Sequence, residues 1–294
     1  MQQQTTHTGK VILAGAGCGD PELITIKAVR WLQQADVVLT DRLVSNDIIT
    51  RYVPATAELV YVGKQCRRGF STPQKSINEL LVQYAQEGKL VVRLKGGDVS
   101  IFSNILDELE TLAAHHIPYE IVPGITAATG AAAYAGIPLT ARNSATAVRL
   151  LTFYKSDVVT DAYWKELAAC NDTLVFYMSS ETLDGVVENL RKHHIDAGTM
   201  LAVIEQATTP MQQVHVCSLA DYFEKMAGKT FASPTLVIIG KVVALYEKFA
   251  WQKNEPVPGE YFKPPADEQF ESLIEESITQ QNPDNNFTTK TENR

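Results

Sequence analysis

Short apolar runs recur along this chain, each followed by a helical pattern, and that alternation limits the fold more than any other feature. Val11–Ala14, Val37–Leu39, Leu59–Val62 and Leu90–Leu94 have strand length. Between them, Ile24, Ala28, Trp31, Leu32 and Ala35 fall at helical spacing, as do Ile77, Leu80, Leu81 and Tyr84. Thr72-Pro73 suits the start of the latter helix, with Thr as cap and Pro in the first turn, and Gly88 suits its end. Another helix is expected near Phe102–Ala114. Buried strands alternating with helices predict an α/β fold built on mainly parallel sheets.

A second series follows the small-residue segment Pro123–Ala135. Its strand candidates are Ala147–Phe153, Thr173–Met178, Met200–Ile204, Val214–Cys217 and Leu236–Ile239, with helical stretches such as Leu183–Lys192 and Leu219–Ala227 between them. Two α/β lobes are therefore expected, over residues 10–119 and 120–247, hinged around 118–124 and each with a mainly parallel sheet flanked by helices. Residues 248–294 are rich in Pro, Asn, Gln and Glu and read as an acidic polar tail, mobile apart from a short helix at Phe270–Ile278.

Charge narrows the partners. The 294 residues carry 26 Lys plus Arg against 34 Asp plus Glu, a net of −8, and residues 251–294 hold 4 basic and 9 acidic side chains. That balance argues against nucleic acid, which calls for a basic stripe. No apolar run approaches the ~20 residues of a membrane helix, and MQQQTTHTGK lacks the charged-then-apolar pattern of a secretion signal. A cytoplasmic enzyme or binding protein is the expectation. Cys18, Cys66, Cys170 and Cys217 are too scattered for a zinc site or a disulfide framework. The pairs His115–His116 and His193–His194 read as helix ends rather than ligands, because adjacent residues do not share a helix face. No metal is expected.

Chemistry concentrates where strands end. The first runs into Gly15-Ala16-Gly17-Cys18-Gly19-Asp20-Pro21, the second into Asp41-Arg42, the third into Gly63-Lys64 and the fourth into Lys95-Gly96-Gly97-Asp98. In a parallel sheet these ends share one edge, and open α/β sheets bind ligands in the crevice outside it. The glycine turn is not a dinucleotide fingerprint, since Asp20 stands where the third glycine belongs, and it lacks the GK[ST] of a P-loop. A nicotinamide oxidoreductase is thereby disfavoured. A plain tight turn remains an alternative for Gly15–Gly19, and a turn cap for Asp41.

These segments also carry a resemblance. GAGCGDPELITIKAVRWLQQADVVLTDRLVS, GKQCRRGFSTPQKSINELL, RLKGGD, PGITAATGAAAYAGIPLTAR, LVFYM and SPTLVIIGKVVAL, in this order over residues 11–246, resemble uroporphyrinogen-III C-methyltransferases. The resemblance implies two α/β lobes with S-adenosylmethionine in the cleft between them, a homodimer, and methylation of uroporphyrinogen III at C2 and C7 to precorrin-2, towards sirohaem or cobalamin. It implies Asp41 as proton acceptor and Lys64 as proton donor; Lys64 could equally pair with a substrate carboxylate. Gly96, Gly97, Asp98, Ile101, Thr126, Ala127, Met178 and Ala207 correspond to cofactor positions, and Cys18 stands where the family has a cofactor-contacting proline. For a polycarboxylate substrate, Arg42, Arg67, Arg68, Arg142 and Arg149 are the candidate guanidinium partners.

The chain also departs from that pattern. GGDVSIFSNI replaces the more usual GGDPFIFGRG, so Val99, Ser100, Ser103, Asn104 and Ile105 alter the loop that follows the cofactor glycines, and Thr140-Ala141-Arg142 replaces THR. A later corrin-ring methyltransferase and a non-catalytic S-adenosylmethionine-binding regulator are the alternatives. Residues 247–294 are too few for the dehydrogenase/chelatase domain of a fused sirohaem synthase.

Overall fold

The computed structural model describes residues 8–62, 74–154, 159–255 and 259–262. Among the described residues, ten strands fall in two sheets: β1 (Lys10–Gly15), β2 (Val37–Thr40), β3 (Glu58–Tyr61), β4 (Leu90–Lys95) and β5 (Tyr119–Val122), then β6 (Val148–Thr152), β7 (Thr173–Tyr177), β8 (Met200–Glu205), β9 (Gln213–Ser218) and β10 (Thr235–Ile239). The helices are α1 (Ile26–Leu32), α2 (Asn46–Tyr52), α3 (Gln74–Gln86), α4 (Ile105–Ala114), α5 (Ala127–Ala135), α6 (Asp161–Ala169), α7 (Leu183–Lys192) and the short α8 (Tyr222–Lys225) and α9 (Tyr246–Phe249).

The first sheet is wholly parallel, in the order β3-β2-β4-β1-β5. Its central strands are continuously apolar because both faces are covered. On one face Ile12, Ala14, Val38, Val92 and Leu94 meet Ala28, Leu32, Ile48 and Ile49 of α1 and α2. On the other, Val11, Leu13, Val37, Leu39 and Val91 meet Ile77, Leu81 and Leu112 of α3 and α4. β5 pairs with β1, so the chain leaves this sheet after Val122, within the hinge expected around residues 118–124 and a few residues beyond the 119/120 lobe boundary. As an edge strand with Tyr119 and Ile121 exposed, β5 lacks the continuous burial that marks its neighbours.

The second sheet corrects the expectation of a mainly parallel one. Its order is β6-β7-β10-β8-β9, and only β6 and β7 pair in parallel. Residues 206–212 between β8 and β9 are fewer than the roughly dozen that a parallel crossover needs, so a hairpin forms. β10 then inserts between β7 and β8 against their direction. Strands β6, β7 and β8 still run the same way, so their carboxyl ends lie along one edge. The helix expected over Leu219–Ala227 shortens to α8.

The expected mobile tail is corrected over its first part. The Trp251 indole N–H donates to the Ala133 carbonyl (2.9 Å), and Phe262 is 3% exposed. The Asn254 amide accepts from the Val214 N–H (2.8 Å) and donates to the Val214 carbonyl (2.9 Å). It thus behaves like one more peptide unit on the edge strand β9, whose backbone groups would otherwise face solvent. Phe270–Ile278 lies outside the described residues. Among the described residues, no helix is long and apolar enough to cross a membrane.

Candidate functional site

The glycine loops of the first sheet interlock at its carboxyl edge. Gly17 N–H donates to the Gly97 carbonyl (3.1 Å) and Gly97 N–H to the Gly17 carbonyl (2.6 Å). A Cβ on Gly124 would stand 2.3 Å from the Gly97 oxygen, so backbone approaches backbone too closely for any side chain there. Gly97 itself has φ +71°, and among the described residues a Cβ there would meet only the Ala127 nitrogen, at 4.0 Å. A cradle is left open above Gly97, with Thr126 and Ala127 opening α5 beside it.

Asp98 holds this floor together. Burial works against its charge, yet hydrogen bonds from the Ser100 hydroxyl, the Ser100 N–H (2.8 Å) and the Gly124 N–H (2.9 Å) keep its carboxyl below the usual range. Both oxygens already accept from protein donors, so Asp98 acts here as a loop clamp. Ser100, one of the unusual residues of GGDVSIFSNI, supplies two of those bonds. Further along, the Phe102 ring meets that of Tyr177 at a tilt of 58° with centroids 5.1 Å apart, joining the altered loop to the second sheet.

The second lobe contributes the ends of β7 and β8. The Tyr177 hydroxyl bonds Thr126 Oγ1 (2.7 Å) and accepts from the Ala128 N–H (3.0 Å), fixing the start of α5. Met178 follows, half-exposed and with its sulfur 2.9 Å from the Tyr154 hydroxyl. Ala207 is buried, and Ile101 packs with it in one apolar cluster. Several non-glycine residues at these loops are left-handed: Phe102 (φ +51°), Asn104 (+54°), Met178 (+52°), Gln206 (+46°) and Thr208 (+66°). Such conformations persist only where surrounding contacts impose them, and they gather at ligand sites.

Cys18 lies at the seam of the two lobes. Its Sγ fills the notch over Gly130 of α5, 2.1 Å from where a Cβ there would be, and its thiol bonds Thr208. Burial pushes the thiol up. Next to it, the Asp20 N–H donates to Thr208 Oγ1 (3.1 Å), and the Tyr134 hydroxyl donates to the Asp20 carboxylate (2.5 Å).

Asp41 ends β2 on the same edge. Its Oδ1 accepts the Leu43 N–H at 3.0 Å, which is the turn-cap role, while Oδ2 lies 3.9 Å from Arg93 Nη2. Behind it is a buried charge cluster that the sequence reading missed. Arg93 Nε bonds Glu108 at 3.1 Å, and Lys95 Nζ bonds its other oxygen at 2.8 Å. Burial pushes the Lys95 ammonium down, against the pull of Glu108. The signal lay in LVVRLK, where two cations alternate with apolar residues on a buried strand, and in Glu108 on the apolar face of α4 with Ile105, Leu109 and Leu112.

The arginines divide. Arg42 is half-buried beside Asp41, and Arg142 is exposed on the loop before β6. Arg149 corrects an expectation: it is held by Asp172 (2.6 Å) and Glu166 (2.5 Å), near the amino end of β6. The carboxyl ends lie at the other edge, so Arg149 is placed away from the proposed site. Lys64, Cys66, Arg67 and Arg68 lie outside the described residues. The histidine pairs do end helices: His115 and His193 ring nitrogens contact the Thr111 and Asn189 carbonyls. No group of three metal-ligating side chains occurs among the described residues.

A family model for tetrapyrrole (corrin/porphyrin) methylases matches residues 10–222. The chain belongs to that family. Among curated relatives, a siroheme synthase of Pseudomonas fluorescens (strain Pf0-1) is 52% identical over 244 residues, covering 83% of this chain and 52% of the relative. A siroheme synthase of Azotobacter vinelandii is 49% identical over 243 residues, again covering 83% and 52%. The chain thus spans about half the length of the curated relatives it matches. Among solved structures, uroporphyrin-III C-methyltransferase from Thermus thermophilus aligns with a TM-score of 0.69 at 35% identity, covering 83% of this chain and 98% of that one. The same enzyme complexed with S-adenyl homocysteine gives 0.68 at 34%, covering 81% and 100%. A cobalt precorrin-4 methyltransferase gives 0.71 at 28%, covering 80% and 95%.

Proposed function

We propose that this methylase transfers methyl groups from S-adenosylmethionine to C2 and C7 of uroporphyrinogen III, giving precorrin-2. The observation that carries the reading is the open cradle above Gly97, which shares one sheet edge with Asp41 and opens towards the start of α5. The residues fit a flat, adenosine-bearing cofactor. Gly96, Gly97, Thr126 and Ala127 offer backbone and small surfaces, Ile101, Met178 and Ala207 offer apolar walls, and Cys18 sits at the seam beside Thr208. When bound, the cofactor supplies an electrophilic methyl carbon.

The chain's own groups hold the tetrapyrrole and manage its proton. Positioning dominates an in-line transfer, and the interlocked glycine loops supply a rigid floor. Once a ring is methylated, its methylated carbon is fully substituted and the ring is cationic, so a proton must leave from the ring N–H or an adjacent meso carbon to restore neutrality. Asp41 accepts it, oriented by the Leu43 N–H and by Arg93. Lys64 retains its role from the sequence, as proton donor or carboxylate partner. Arg42, Arg67, Arg68 and Arg142 remain the candidates for substrate carboxylates; Arg149 is already engaged by two acids. The reading includes a homodimer in the cytoplasm with no nucleic-acid partner.

Anaerobic incubation with uroporphyrinogen III and methyl-labelled S-adenosylmethionine, followed by mass analysis of the tetrapyrrole, tests this directly. Two added methyl groups are expected. The altered loop Val99–Ile105 and the likeness to a cobalt precorrin-4 methyltransferase favour one second reading, a later precorrin as substrate. Cofactor binding without transfer to uroporphyrinogen III would move the assignment there.

A further inference from the structure

The segment that follows the methylase core crosses from one lobe to the other. Gln206, the residue before Ala207, grips it with both ends of its amide: Oε1 accepts the Tyr261 N–H at 2.6 Å, and Nε2 donates to the Gly259 carbonyl at 3.3 Å. The Tyr261 hydroxyl then reaches the first lobe and donates to the Asp47 carboxylate at 2.5 Å. Phe262 is buried and packs edge-on against the Tyr261 ring.

Both anchor points adjoin or belong to loops that carry the site. Asp47 lies in the first turn of α2, which begins directly after the Asp41–Ser45 loop. The same helix reaches the glycine turn, since the Tyr52 hydroxyl donates to the Pro21 carbonyl at 3.1 Å. On the other side, Gln206 and Thr208 hold left-handed conformations, and Thr208 accepts the Asp20 N–H. A ligand lying between two lobes binds only when they are correctly spaced. A tether that favours this spacing raises affinity by removing the cost of reaching it.

We propose that Gly259–Phe262 is an interlobe clasp for cofactor binding, with Tyr261 as a positioning residue that ties α2 to the Gln206–Thr208 loop. The inference rests on the cofactor placement above. The Tyr261 phenol is pushed up by burial and then by the Asp47 carboxylate, which agrees with a proton held on its oxygen for donation.

The test is calorimetric titration of the 294-residue chain with S-adenosylhomocysteine. Tyr261→Phe and Asp47→Ala should each weaken binding about tenfold, the lower end of the scale for one hydrogen bond to a charged acceptor. The double variant should be no weaker than either single variant, because both remove one interaction. Asp47→Asn, which keeps an acceptor, should bind within about twofold of the parent. In turnover, KM for S-adenosylmethionine should rise while kcat holds. An unchanged dissociation constant in Tyr261→Phe overturns the clasp, even if the melting temperature falls. Gly97→Val tests the site separately, by filling the cradle and straining its left-handed backbone. If it binds normally while Tyr261→Phe binds weakly, the cofactor placement fails and the clasp stands.

Discussion

Cys18 and Gly130 occupy complementary volumes: the thiol of one fills the space that a methyl group on the other would need, at 2.1 Å. This contact joins the glycine turn after β1 to helix α5, and therefore one lobe to the other. Gly130→Ala should destabilise the fold by about 1–3 kcal/mol, as overpacking does, despite the ~1 kcal/mol that Ala gains over Gly inside a helix. Combining it with Cys18→Ala should restore the parent stability or exceed it. Thermal denaturation of the two single variants and the double variant measures this directly.

Asp41→Asn keeps the acceptor for the Leu43 N–H and should fold normally. Its affinity for S-adenosylhomocysteine should match the parent, while turnover falls about a hundredfold, the scale of a lost general base. Unchanged turnover would reduce Asp41 to its turn cap.

Glu108 is fully buried and pairs with both Arg93 and Lys95, while Asp41, 3.9 Å from Arg93, supplies the second negative charge. Glu108→Gln leaves two buried cations short of a counter-charge, and a loss of about 3–5 kcal/mol is expected by chemical denaturation. Any residual folded protein should also show reduced turnover, because Arg93 reaches Asp41.

Glu120 on β5 is held down to about 2 by hydrogen bonds from Lys10 and Lys27, with Trp31 adding a third. Its carboxyl ionises more readily folded than unfolded, so its stabilisation is complete above the unfolded value of about 4.3. It is lost as pH falls towards 2. Glu120→Gln should flatten the decline of stability over that window by lowering the plateau at higher pH towards the level the parent reaches in acid, a modest loss because the ion pairs with Lys10 and Lys27 are still reached by solvent.

The first sheet was legible because full burial on both faces writes continuous apolar runs, as in Val11–Ala14 and Leu90–Leu94. Its edge strand β5 was not, since Tyr119 and Ile121 face outward and the run is broken. Asp41, Gly96, Gly97 and Asp98 were visible as chemistry at strand ends, a pattern that needs only parallel topology. Arg93, Lys95 and Glu108 were missed although each breaks an apolar pattern, because their meaning depends on all three meeting.

By itself, the amino-acid sequence determined the two-lobed α/β alternation, the glycine-bearing edge and the resemblance that named its chemistry. Those are properties of neighbours along the chain: spacing, turn residues and local apolarity. Only the tertiary structure decided that Arg149 is held by Asp172 and Glu166, that Asp98 clamps Gly124, and that the second sheet is mixed. It also decided that Tyr261 reaches from Gln206 to Asp47. The physical reason is the same each time. A side chain's role depends on which groups lie within hydrogen-bond reach, and residues 206, 261 and 47 come within that reach only when two sheets pack together.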